Sequence, residues 1–212
     1  MTGQPEALLI DYGGVLTTPP ADSFRRWLAE DRLDRARFRE LMHGWLAADA
    51  PGNVAHDLET GRLTPEEFER RLIAELVRPD GSTAEPTGLL SRMFAGMEAE
   101  TSMIDVVRRL HVAGVRTGLV SNSWGFSYPT EGWADLFDAV VISGEVGARK
   151  PEPEIYLMAA AQLRVPPSAC VFVDDLAANV RGAAAVGMIG VHHTGLTTTV
   201  DELEILFDRS LQ

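Results

Sequence analysis

Six polar residues of this chain stand at or beyond the ends of short apolar runs: Asp11, Ser121 with Asn122, Lys150, and Asp174 with Asp175. Three carboxylates close together repel one another, and a hard divalent cation such as Mg²⁺ is the usual remedy, with substrate phosphate completing its oxygen shell. The Ser121 hydroxyl and nearby backbone amides suit phosphate oxygens, and Lys150 supplies the point charge that phosphate favours. A carboxylate left free to attack would give in-line phosphoryl transfer through an aspartyl-phosphate. Taken singly, each residue has a plainer reading: a turn at Asp11 before Gly13-Gly14, a turn at Ser121-Asn122-Ser123, a surface lysine before Pro151, a helix-capping pair at Asp174-Asp175. Recurrence of the same build at successive strand ends favours the joint reading.

Those residues converge only if the elements behind them are parallel strands. Ala7-Leu8-Leu9-Ile10 is too short and too apolar for a helix, and Gly13-Gly14 follows it, so it predicts a buried strand. Further strands are expected at Val115 to Val120, Ala139 to Ile142, Cys170 to Val173 and Met188 to His192. Between them, Met103 to Val112, Glu154 to Leu163 and Leu176 to Val186 read as helices, and a last helix is expected from about Asp201. This alternation predicts an α/β fold, a doubly wound parallel sheet whose ligand sites lie past the carboxyl ends of the strands.

After Thr17-Thr18-Pro19-Pro20 the pattern changes. Phe24, Trp27 and Leu28, then Phe38, Leu41, Met42 and Trp45, recur at helical spacing, and Thr64-Pro65-Glu66-Glu67 starts another helix. Val77 to Pro86 reads as a loop and Leu89 to Met97 as helical. The expected organisation is a core from residues 1–17 and 101–212, interrupted by a helical insertion over 18–100.

The 212 residues, 45% apolar and 24% charged, suit a globular core, and the net charge of −12 leaves no basic footprint for nucleic acid or an anionic membrane. A small phosphorylated molecule is the expected partner. Cys170, the single cysteine, lies in an apolar run and reads as a buried thiol of a reducing compartment. With neither a signal peptide nor an apolar stretch of membrane-spanning length, the expected location is cytoplasmic. Aromatic residues of the insertion also suit a homodimer face.

Asp11-Tyr12-Gly13-Gly14-Val15-Leu16, Val120-Ser121-Asn122, Gly147 to Tyr156 around Arg149-Lys150-Pro151, and Phe172 to Asn179 around Asp174-Asp175 resemble, in order, the four motifs of the haloacid dehalogenase superfamily. The helical insertion resembles that superfamily's C1 cap, and within it the chain looks most like the phosphatase domain of soluble epoxide hydrolases. The resemblance implies Asp11 as nucleophile, Ser121 as phosphate binder with Asn122 beside it, and Lys150 orienting nucleophile and phosphate. It further implies Mg²⁺ held by Asp11, the Gly13 carbonyl and Asp175, with Asp174 ligating directly or through water and Asn179 supporting the loop.

One position departs from the pattern. The superfamily's phosphatases usually carry a second aspartate two residues after the nucleophile, as acid and base, where this chain has Gly13. Glycine keeps the carbonyl for the metal but loses the proton carrier, typically worth about 10²–10⁴-fold in rate. Three outcomes are open: a slow phosphatase limited to good leaving groups, a replacement acid from the insertion such as His43 or His56, or a catalytically degenerate binding or regulatory module. His192 and His193 follow the last core strand. A metal-independent dehalogenase would leave Asp174-Asp175 unexplained, and a two-component receiver domain would carry its acidic pair on the first strand.

Overall fold

The computed structural model describes residues 4–47, 53–125 and 127–211. Five strands, β1 (Ala7–Ile10), β2 (Arg116–Ser121), β3 (Ala139–Ile142), β4 (Cys170–Asp174) and β5 (Ile189–His192), form one parallel sheet in the order β3-β2-β1-β4-β5. The expected α/β fold with a doubly wound parallel sheet is what the chain adopts. The chain runs outward from β1 through β2 to β3 and then returns to place β4 against the other side of β1. The order therefore reverses beside β1, where parallel sheets open a crevice for ligands.

Both faces of the sheet are covered, because successive strand residues point to opposite sides. Leu8, Ile10, Val171 and Val173 pack with Met103, Val107 and Leu110 of α6 (Thr101–Val112) and with Leu203 and Phe207 of α10 (Leu196–Phe207). Ala7, Leu9, Cys170 and Phe172 face the other way, onto Ile155, Tyr156, Ala159 and Leu163 of α8 (Pro153–Leu163) and Ala183 of α9 (Ala177–Ala185). Cys170 is buried and unpaired, as its apolar run predicts. The last helix begins at Leu196, five residues before the expected Asp201, because Leu196 and Val200 add two positions to its apolar face.

Between β1 and α6 the insertion folds as α1 (Pro20–Glu30), α2 (Arg35–Leu46), α3 (Val54–Glu59), α4 (Pro65–Glu75) and α5 (Leu89–Phe94). These helices have an apolar cluster of their own, with Trp27, Phe38, Phe68, Leu72, Leu76, Leu89 and Met93 at its centre. The Thr64 hydroxyl accepts from the Glu67 N–H at 3.2 Å, the cap that the sequence encodes for α4. Helix α3 escaped the sequence reading, since six residues are too few to show a period, but Asn53 caps it by accepting from the His56 N–H. Residues 48–52 of the insertion and the first three of the core lie outside the described residues. A four-residue helix, α7 (Ser143–Val146), joins β3 to the Lys150 loop. Among the described residues, no helix is long and apolar enough to cross a membrane.

Candidate active site

The register of the sheet makes the site. Ile10 pairs with Val173, and the Asp11 N–H donates to the Val173 carbonyl at 2.9 Å, so Asp11 leaves β1 beside Asp174 at the end of β4. Lys150 inserts between them: its Nζ lies 2.6 Å from Asp11 Oδ1 and 2.7 Å from Asp174 Oδ2, with the side chain 1% exposed. Asp175 stands next to the pair, and carboxylate oxygens of Asp11, Asp174 and Asp175 lie within 4.8 Å of one another.

Each member is held by neighbours. Asp174, completely buried, takes the Leu176 N–H on Oδ1 at 2.8 Å and the Asn179 amide at 3.0 Å on both oxygens. Asn179 therefore supports the aspartate loop, and its own carbonyl accepts from the Tyr156 hydroxyl at 2.8 Å. Asn122, expected at the substrate, lines the cavity and has both ends of its amide on the Lys150 main chain: Nδ2 donates to the carbonyl at 3.0 Å and Oδ1 accepts from the N–H at 2.8 Å. It positions the lysine. Ser121 ends β2, with Oγ 3.0 Å from the Tyr128 hydroxyl.

Glycine is required at Gly14, whose φ is +78° and where a Cβ would fall 2.6 Å from Asp175 Oδ2. The backbone passes so close to that carboxylate that any side chain would displace it. Gly13 is different: a Cβ there meets Pro20 Cγ at an ordinary 3.4 Å.

One ammonium faces three carboxylates, and burial magnifies the imbalance. Burial, reinforced by Asp174 and Asp175, outweighs the Lys150 ammonium and pushes the Asp11 carboxyl from 3.8 up to about 8. Asp175, desolvated beside Asp174, is pushed up to about 6. Lys150 is held above the ordinary lysine value, since the two carboxylates overcome its desolvation. Three hard oxygen donors with uncompensated negative charge are the set a divalent cation such as Mg²⁺ takes.

This cluster forms the floor of a cavity of about 520 Å³ whose other wall comes from the insertion: Phe24 of α1, Leu46 at the end of α2, His56 and Glu59 of α3, and Phe94 of α5. Trp124, after β2, lies between the two and packs edge-on to Phe68 and Phe94. Glu59 and Arg149 make a buried ion pair across the junction, and the Ser143 hydroxyl donates to the Glu59 carbonyl. Burial nevertheless holds the Glu59 carboxyl above its usual range.

The sequence reading missed four of these groups: Glu59, Arg149, Tyr128 and Trp124. Arg149 was visible beside Lys150 but had no readable partner, since Glu59 lies 90 residues away. Tyr128 and Trp124 carried no pattern. Of the histidines, His56 lines the cavity of Asp11, whereas His43 lines a separate cavity among α1 and α2. His192 Nε2 lies 2.9 Å from the Asp175 carbonyl, and His193 Nδ1 lies 2.9 Å from Thr199 Oγ1. Trp27 donates from its indole to Asp31 at 2.9 Å and is core.

A parallel α/β sheet with a buried aspartate, lysine and acidic pair at its carboxyl rim, closed over by a helical insertion, defines a class of hydrolase. The chain belongs to the haloacid dehalogenase-like hydrolases, whose family model matches residues 6–187. It is 27% identical over 211 residues to bifunctional epoxide hydrolase 2 of Mus musculus, covering 92% of this chain and 37% of that protein. It is 31% identical over 157 residues to sesquiterpene phosphatase astK of Aspergillus oryzae, covering 70% of this chain and 76% of that protein. The chain spans well under half the length of the mouse relatives it matches. The fold is shared with a HAD family enzyme of Bacteroides thetaiotaomicron solved as a magnesium complex, with a TM-score of 0.62, 23% identity, and coverage of 90% of this chain and 94% of that one.

Proposed function

We propose that the chain is a Mg²⁺-dependent phosphatase that removes phosphate from a small phosphorylated metabolite through an aspartyl-phosphate on Asp11. The observation that carries this reading is the Lys150 ammonium 2.6 Å from Asp11 and 2.7 Å from Asp174, on the floor of a cavity large enough for a metabolite. Asp11 and Asp175 would hold the cation with the Gly13 carbonyl. Asp174 would act through water, because both of its oxygens already accept from Lys150, Asn179 or Leu176. When bound, the cation supplies positive charge that lets phosphate and carboxylates share one site.

The chain's own residues then do the following. Asp11 attacks phosphorus while Lys150 keeps it oriented and offsets charge on the transferring group. Ser121 Oγ donates to a phosphate oxygen. Asn122 keeps the lysine loop in place, and Asn179 does so for Asp174. The insertion over residues 18–100 acts as a cap that closes the cavity over the substrate. Relatives named as phosphatases support this reading over a dehalogenase, and the acidic cluster supports a metal-dependent one.

The test is a Mg²⁺-dependent panel of phosphate monoesters, sugar-1-phosphates and acyl phosphates, with Asp11→Asn as control. Turnover by wild type and its loss in Asp11→Asn are expected. Equal inactivity of both proteins would leave a binding or regulatory module as the better reading.

A further inference from the structure

In the reading above, Ser121 Oγ donates to a phosphate oxygen, and a serine hydroxyl has one proton to give. Where that proton points is decided by what else bonds the oxygen. Among the described residues the partner is the Tyr128 hydroxyl, 3.0 Å away. Two arrangements satisfy that distance. If serine donates to tyrosine, its proton is turned from the cavity, and a phosphate oxygen would meet a lone pair. If tyrosine donates to serine, the serine proton is left for the cavity, which Ser121 lines together with Asp11 and Lys150. Only the second arrangement is compatible with phosphate.

We infer that Tyr128 is a positioning residue of the phosphate site: its phenol donates to Ser121 Oγ and so aims the serine proton at phosphate. This rests on the reading of Ser121 as a phosphate donor. A hydroxyl that accepts one hydrogen bond is polarised and donates a stronger one, so the phenol also strengthens the bond it aims. Burial, opposed by the hydrogen bond with Ser121, pushes the phenol from 10.0 up to about 12, and it keeps its proton over the working range. The ring is fixed by other rings. Tyr128 lies between β2 and the 3-10 turn at Trp133–Asp135, edge-on to Tyr12 with centroids 5.1 Å apart and tilted against Trp133 at 5.7 Å. Tyr12 and Trp133 both pack on the core face that carries Leu8 and Ile10. Tyr12 also follows the nucleophile and donates its N–H to Asp11 Oδ1 at 2.7 Å, so the same packing ties the phenol to the Asp11 end of β1. The rings set where the phenol sits, and its oxygen sets what Ser121 does. Tyr128→Phe separates the two, because it keeps the ring and removes the oxygen.

Tyr128→Phe, Ser121→Ala and the double variant form a cycle read in two assays with Mg²⁺: kcat/KM for p-nitrophenyl phosphate, and the Kd of inorganic phosphate by calorimetric titration. Ser121→Ala loses the bond to a charged oxygen and should weaken both by at least about tenfold. Tyr128→Phe should weaken both by about three- to tenfold, the scale of one neutral hydrogen bond. Added to Ser121→Ala, it should change either by less than about 1.5-fold, since no proton is left to aim. A ring that only packs would instead give the product of the two single losses. That result, or a Tyr128→Phe protein equal to wild type in both assays, overturns the role of Tyr128 and leaves the phosphatase reading standing. Wild type that binds phosphate without turning over ester would remove the phosphatase reading, and the Kd cycle alone would then decide on Tyr128. Wild type that does neither would sink both.

Discussion

Adding Mg²⁺ should stabilise this protein far more at pH 8 than at pH 6. Three carboxylates against one ammonium leave uncompensated negative charge in a buried site, and in the metal-free protein protons relieve it. Asp11 is pushed from 3.8 to about 8 and Asp175 to about 6. Both folded values are raised, so their contribution to stability is complete below 3.8 and is lost as pH climbs through about 6 and then about 8. For Asp11 the slope in that window approaches about 1.4 kcal/mol per pH unit, whereas Asp175 is partly exposed and contributes less. Mg²⁺ must displace the Asp11 proton and, near pH 6, the half-occupied one on Asp175, so its apparent affinity should weaken roughly a hundredfold from pH 8 to pH 6. At a concentration about one hundred times the pH 8 Kd, the gain is ~2.7 kcal/mol at pH 8 and ~0.4 kcal/mol at pH 6. For a chain of this length those gains correspond to roughly 5–10 °C and 1–2 °C in Tm. Calorimetric melts with Mg²⁺ and with chelator measure the difference. Titrations in buffers of different ionisation enthalpy count the protons released, about one and a half near pH 6 from Asp11 and Asp175 together and approaching none near pH 9. Asp11→Asn should remove most of the pH dependence. Equal Tm gains at both pH values, or no proton release near pH 6.5, would refute the account of how burial and charge set Asp11.

Gly14→Ala should drive a methyl to 2.6 Å from Asp175 Oδ2 at a φ of +78°. A cost of about 1–2 kcal/mol from the left-handed backbone and a Mg²⁺ affinity weakened at least about tenfold are expected, read by melting and calorimetric titration. Arg149→Met should leave Glu59 buried without its partner, destabilising by about 3–5 kcal/mol, and Arg149→Met/Glu59→Gln should recover part of that loss in urea unfolding. Gly13→Asp finds ordinary space beside Pro20 Cγ and restores a carboxyl next to the nucleophile. It should raise kcat on a poor-leaving-group phosphate ester by roughly tenfold or more in a Mg²⁺-dependent assay, since one positioned acid-base group is worth at least that much.

Which parts of this molecule were legible in the sequence follows from the range of the interactions that fix them. The strands and their order of appearance are local facts of composition: four apolar residues before Asp11 and five around Cys170 can only be buried, and burial on both faces demands helices between them. Convergence of Asp11, Lys150 and Asp174 then follows from parallelism and needs no further information. Asn122 shows where such reasoning stops. Its place beside Ser121 was readable, but its amide could turn toward substrate or toward Lys150, and the choice is made by a loop 28 residues downstream. Glu59 and Arg149 were unreadable for the same reason, since nothing near either residue announces the other. His43 and His56 looked equivalent as single histidines on helices. What separates them is which side of α1 and Trp124 each helix presents, a consequence of how the insertion packs on the core. Residues whose role depends on backbone register could be inferred. Those whose role depends on the docking of the insertion could not, and they are the ones that line the cavity wall opposite Asp11.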